Sequence, residues 1–224
     1  MDRDIARHDY TGVEAEARAI STARLLGQVM FLVAVALAIF ALGAFVGQDL
    51  TSGVAMACSF GGLGMLLVQS FGGDRFRVGT FAIGWLYGLA LLIGLGIGPA
   101  LNSYIELDPS VVVQAAAGTA LTVLGMGALG FALSKDLSGW MRPLSIVVLI
   151  AVVISIGALV FGGLGSMSPV LSIVIFGASA LLILVDFNYL RKHGTEADMV
   201  WLATGIFVSI INIFLSLLSL LSND

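Results

Sequence analysis

Long apolar runs alternate with short polar breaks along this chain. Runs of about 20 mostly apolar residues are long enough to cross a bilayer as helices. Seven meet that length, at roughly 25–46, 50–71, 78–101, 111–133, 144–163, 169–190 and 199–221. The breaks read as turns: "GGDRFR", "NSYIELDP", "SKDLSGWMRP", "GGLGSMSP" and "RKHGTEAD". Pro143 suits a helix start, and the Gly/Ser/Pro cluster after span five suits a tight turn. The pattern predicts an all-α, seven-helix transmembrane bundle over 24–224, preceded by a cytoplasmic segment over 1–23.

Composition agrees. Hydrophobic residues make up 59% of the 224 and charged residues 11%, against roughly 25% charged in soluble domains. The lipid bilayer is the first expected partner. A net charge of −4 argues against nucleic acid. Cys58 is the sole cysteine, so no internal disulfide forms. The mixed-charge start and the span-length run behind it do not resemble a cleaved signal peptide.

Lys and Arg set the expected orientation. Arg3, Arg7, Arg18 and Arg24 precede span one, Arg75 and Arg77 follow span two, Lys135 and Arg142 follow span four, and Arg191 and Lys192 follow span six. All ten basic residues therefore fall on one side, which places the N-terminus in the cytoplasm and the C-terminus outside. A reporter fused after Asp224 is expected to read as external, and one in the 135–142 loop as cytoplasmic. A cytoplasmic C-terminal reporter would remove one span from the count.

The chemistry for most membrane enzymes is missing. The two histidines, His8 and His193, sit in inner segments, no HExxH occurs, and no span holds a His or Lys to activate a nucleophile. Both lysines lie in loops, which excludes a retinal Schiff base. We expect no enzyme, no bound metal and no cofactor.

Two spans carry polar stripes. Ser172, Ser179 and Asp186 recur every seven residues in span six, and Ser209, Asn212, Ser216 and Ser219 share one face of span seven. A short loop joins these spans, so the stripes are expected to face each other as a seam. The serines equally suit tight packing or bonds to their own helix. Asp186 admits two readings. It is a working intramembrane carboxylate, or an interfacial residue paired with Arg191 or Lys192. Glycines add close-packing sites: Gly84-x-x-x-Gly88, then Gly94, Gly96 and Gly98 ahead of Pro99, which suggests a bent or loosened outer end. Spans three and four are expected at the centre. Trp140 and Trp201 suit inner interfaces.

The run "GLALLIGLGIGPALNSYIELDPSVVVQAAAGTALTVLGMGALG" resembles the signature of the Bax inhibitor (TMBIM-type) membrane family, which includes bacterial members. The matching residues are Gly98, Pro99 and Leu101, then Ala115, Thr119 and Ala120. Leu121, Thr122 and Val123 depart from the two aliphatics and Phe of the family. "VDFNYL" and "SIINIF" resemble its motifs in spans six and seven. The resemblance covers all seven spans. It implies one central helix surrounded by the others, in the bacterial inner membrane. It also implies a pH-sensitive calcium leak, with Ca2+ as transported ion, gated by two aspartates that share a proton. The first falls on Asp186, and the second falls on Ser209, so the pair is absent here. Asn212 keeps the family's asparagine. The gate or ion pathway would then comprise Asp186, Ser209 and Asn212, with weakened or altered pH sensing. Bacterial relatives also include regulators of a membrane-bound AAA protease, which makes such a membrane protein the alternative partner.

Overall fold

The computed structural model describes residues 2–161 and 169–222, with most side chains from residue 21 onward. Its helices are α1 (Asp2–Gly47), α2 (Ser52–Phe71), α3 (Gly79–Leu107), α4 (Pro109–Ala132), α5 (Met141–Phe161), α6 (Pro169–Lys192) and α7 (Met199–Leu221). All seven contain a stretch long and apolar enough to span a membrane. The predicted turn over 162–168 falls outside the described residues.

Boundaries differ from expectation in two places. The helix α1 runs through 23 and 24 without a break, because Ala, Glu and Arg in its first half are strong helix formers. Pro99 does not end α3, which continues to Leu107. Ser103 Oγ donates to the Pro99 carbonyl at 3.0 Å, and Asn102 Nδ2 donates to Glu106 Oε1 at 2.9 Å. The predicted loop therefore shrinks to Asp108, which caps α4 by accepting from the Ser110 N–H at 2.9 Å, with Pro109 opening that helix. Bonds from Ser110, side chain before backbone, hold the Asp108 carboxyl below its usual range. At the other end, Gly73 (φ 67°) and Gly79 (φ 89°) adopt left-handed conformations that let α2 stop and α3 start.

The expectation that spans three and four are central is overturned. The buried core lies around α6 and α7, whereas α4 buries only Ala115, Thr119, Gly127 and Gly130. The helix α7 packs against α1, α4 and α6 and touches α3. Phe207, Ile206 and Ile213 are fully buried in it, and Phe207 meets Phe40 of α1 edge-on at 6.4 Å. Gly-rich spans looked central because small residues favour packing. Here their glycines serve pairwise contacts instead. α2 rests on α3, and α5 rests on α6 through Val148, Ala178 and Leu182.

The most extensive helix–helix contact is that of α1 with α3. A Cβ on Gly47 would stand 2.6 Å from the Leu95 carbonyl oxygen, one on Gly43 2.8 Å from that of Leu91, and one on Gly98 2.6 Å from that of Ala44. A Cβ on Gly94 would collide with the Phe40 carbonyl. Gly43-x-x-x-Gly47 and Gly94-x-x-x-Gly98 thus interlock backbone to backbone. Gly84 and Gly88 do not take part. A Cβ on Gly84 would meet nothing within 4 Å, and one on Gly88 only the Met65 methyl at 3.5 Å. The repeat was visible in the sequence, but which turn of α3 faces α1 was not.

Candidate functional site

The C-terminal half of α6 gathers the unusual chemistry. Asp186 is 5% exposed and forms no hydrogen bond or ion pair among the described residues. Its Oδ2 lies 3.4 Å from where a Cβ of Gly205 would stand. The carboxyl therefore faces α7 one turn before Ser209, where glycine leaves it room. Ser209 is 2% exposed on the same face of α7. Toward the other end of the seam, Ser172 Oγ donates to Ser219 Oγ at 3.1 Å. Ser179 Oγ, Ser216 Oγ and Asn212 Nδ2 are buried without a partner. The two polar stripes do face each other.

The basic residues do not serve Asp186. Arg191 donates from its guanidinium to the Phe131 carbonyl, and Lys192 from its ammonium to the Ser134 carbonyl. Helix C-termini leave carbonyls unpaired, and cations there offset both the missing bonds and the partial negative charge. Arg191 thus caps the last turn of α4 from a neighbouring helix, and Lys192 holds the loop just behind it. The interfacial reading of Asp186, paired with Arg191 or Lys192, fails in this arrangement.

Asn188 was not singled out in the sequence, yet it is fully buried and makes the densest set of polar contacts. Its Nδ2 donates to the carbonyls of Gly130 (3.1 Å), Leu133 (3.2 Å) and Lys135 (3.1 Å), and its Oδ1 accepts from the Leu137 N–H at 3.0 Å. Gly130 makes this reachable. A Cβ there would stand 3.1 Å from the Phe187 Cβ and 3.2 Å from the Asn188 nitrogen. The signal available was an amide two residues after Asp186 at the end of an apolar run. An amide in lipid needs partners, but nothing local shows that a loop 51 residues earlier supplies them.

The surrounding loops join the same assembly. His193 Nε2 lies 2.6 Å from Asp136 Oδ2, with both side chains nearly half exposed. The Ser138 N–H, followed by His193, holds the Asp136 carboxyl down at about 2. A depressed carboxyl stabilises the fold fully above its ordinary value of 3.8, and that contribution is lost as pH falls toward about 2. The Tyr189 ring meets His193 at 5.5 Å and Trp201 at 5.6 Å, and the Arg77 guanidinium lies 5.2 Å from the Trp201 ring centre. Thr195 and Asp198 form a capping box ahead of α7. Three loops on one face are thereby tied to α6. Trp201 is partly buried in this network, whereas Trp140 is 60% exposed.

One buried carboxyl, one amide and several hydroxyls line the α6–α7 seam. Among the described residues, no group of three or more His, Cys, Asp or Glu comes together.

Comparison with known proteins places the whole chain. The family described as inhibitor of apoptosis-promoting Bax1 matches residues 22–224. A protein of Escherichia coli named modulator of FtsH protease YccA is 29% identical over 229 residues, covering 99% of this chain and 97% of its own. An uncharacterized protein of Pseudomonas aeruginosa is 30% identical over 223 residues, covering 96% and 95%. A membrane protein of Vibrio cholerae is 27% identical over 220 residues, covering 95% of each. With seven spanning helices, a family match over nearly the full length and relatives aligned end to end, this chain is a multi-pass membrane protein that belongs to the Bax inhibitor family.

Proposed function

We propose that this protein is an inner-membrane modulator of a membrane-bound AAA protease, acting by binding and without catalysis of its own. The observation that carries this reading is the end-to-end alignment with the relative named modulator of FtsH protease. The loop face is compatible with it. Asn188, Arg191, Lys192 and His193 hold the α4–α5 loop in place, so that face presents a fixed shape to a partner. The test is affinity capture of the tagged chain from native membranes. Recovery of the protease, together with altered turnover of a protease substrate when the chain is added, is the expected result. Unchanged turnover in a reconstituted mixture, with no recovery after crosslinking, would remove this reading.

A second reading is a cation leak along the α6–α7 seam, with Ca2+ as the ion to test. The burial of an unpaired Asp186 favours it, since an intramembrane carboxyl is costly and by default functional. Asp186→Asn keeps the size and removes the ionisable group. It is expected to change calcium flux from liposomes and the pH dependence of that flux. Ser209→Asp is expected to rebuild a carboxylate pair and sharpen the pH response near neutrality, because two close carboxylates cannot both ionise cheaply. Flux of wild-type size from Asp186→Asn across the pH range would sink the leak reading.

A further inference from the structure

We propose that the cleft between the start of span one and the α6–α7 connection binds a zwitterionic phospholipid headgroup with a primary ammonium, as in phosphatidylethanolamine. The site lies apart from the α6–α7 seam and the Asn188 clamp, and neither reading of function requires it. The cleft encloses about 240 Å³. Ser21, Arg24 and Gln28 form one wall, three and four residues apart, so they share a face of α1. Gly194 and Glu196 line the other wall. The walls meet at Leu25, whose Cδ2 lies 2.9 Å from where a Cβ of Gly194 would stand. The loop wall is held in place. The Gly194 N–H donates to the Tyr189 carbonyl at 3.0 Å, and Thr195 Oγ1 donates to Asp198 Oδ2 at 2.7 Å.

The two walls differ in chemistry. The α1 wall supplies donors: the Ser21 hydroxyl, the Arg24 guanidinium and the Gln28 amide nitrogen. Gln28 Oε1 is buried without a partner, which leaves Nε2 as the amide atom for a ligand. The loop wall supplies the Glu196 carboxylate, which only accepts. Arg24 and Glu196 are both exposed, and neither forms an ion pair among the described residues. A cation and an anion that line one cleft without bonding each other suit a group with the opposite charge at each end. Guanidinium matches phosphate through paired N–H bonds, and a carboxylate accepts from an ammonium N–H. A phosphoethanolamine unit carries both partners. A choline headgroup has no N–H to donate to Glu196. An anionic headgroup without an amine sets a second negative charge beside Glu196, which selects against it.

The depth of the cleft points to lipid as the source of that unit. From Ser21 to Gly47, α1 rises about 39 Å, close to the roughly 40–45 Å of a bilayer with its headgroup zones. The first 10 Å or so, Ser21 to Gln28, therefore lies at headgroup level. Arg24, Phe31 and Ala38 recur every seven residues on the exposed face of α1, and Phe31 is 66% exposed. In a spanning helix that face meets acyl chains. A headgroup held by Arg24 keeps its chains alongside Phe31.

The test uses the full chain, stripped of lipid in detergent. Phosphatidylethanolamine, phosphatidylcholine and phosphatidylglycerol with the same acyl chains are added in turn. Native mass spectrometry measures retained lipid, and thermal aggregation gives the midpoint. Phosphatidylethanolamine is expected to be retained about tenfold more strongly than the other two, the order of one charge-assisted hydrogen bond. Arg24→Gln and Glu196→Gln should each lower that retention about tenfold, and Glu196→Gln should also erase the preference over phosphatidylglycerol. Both side chains are exposed and unbonded, so neither change breaks a described contact. Arg142→Gln, away from the cleft, should retain lipid as the wild type does. Equal retention of the three lipids overturns recognition of the ammonium. Wild-type retention in both Arg24→Gln and Glu196→Gln overturns the cleft as the site. Glycerophosphoethanolamine is the soluble form of the headgroup, and a midpoint raised by it as far as by the lipid overturns lipid as the source. The wild-type comparison of lipids decides the headgroup even where a variant fails to fold.

Discussion

Asn188→Leu is expected to lower stability by about 4 kcal/mol and to release the α4–α5 loop. The amide is fully buried and ties four backbone groups, Gly130, Leu133 and Lys135 through their carbonyls and Leu137 through its N–H. Leucine fills the volume but leaves those groups without this partner. An orphaned buried polar group costs about 1–3 kcal/mol. Partial access of the loop to water keeps the total below the sum of four such losses. Asn188→Asp separates the contributions. The carboxylate can still accept from Leu137 but cannot donate to three carbonyls, so it should fail nearly as badly. Thermal unfolding in detergent gives the stability, and trypsin cleavage at Lys135 and Arg142 reports the loop. Unchanged melting and unchanged cleavage in both variants would show that the clamp contributes nothing.

Alanine at Gly94 or Gly98 is expected to cost about 3 kcal/mol or more, beyond the usual range for overpacking by one methyl. In each case the new Cβ would run into α1 backbone, at Phe40 for Gly94 and at Ala44 and Gly47 for Gly98. Backbone cannot rotate away as a side chain can, so the helices must separate. In lipid, tight packing is a main source of helix association, and the loss is correspondingly large. Gly47→Ala, set against Leu95, belongs to the same group. Gly84→Ala and Gly88→Ala serve as contrasts. Both sites have space, and alanine is the better helix former by about 1 kcal/mol. Thermal aggregation across the five variants should therefore fall into two classes. A uniform response would place the α1–α3 contact elsewhere.

These outcomes bear on how function is read. Loss of protease capture in Asn188→Leu, with the bundle still folded, would tie the modulator reading to the loop face. Altered calcium flux in Asp186→Asn, with protease capture intact, would tie the leak reading to the α6–α7 seam instead. The modulator and leak readings call on different side chains of α6 and can be separated by mutation.

The sequence by itself determined the number of spans, their approximate limits and the stripes on α6 and α7. Those features follow from local rules. A bilayer demands a run of apolar residues for each crossing, and a helix places every third or fourth residue on one face. The seam followed because a short connection makes α6 and α7 antiparallel neighbours. The family was legible in its motifs, and so was the missing second aspartate at Ser209. Only the tertiary structure decided which helices lie at the centre, because lipid and helix neighbours are both apolar and leave similar patterns. It decided that Gly94 and Gly98, not Gly84 and Gly88, meet α1, since a repeat does not say which turn faces a partner. It also sent Arg191 and Lys192 to the carbonyls of Phe131 and Ser134 and left Asp186 without them. Charge and proximity in the chain suggested a pair with Asp186. The end of α4 and the loop just behind it, more than fifty residues away in sequence, took the two cations instead, because a chain leaving a helix near lipid has carbonyls that nothing local can satisfy.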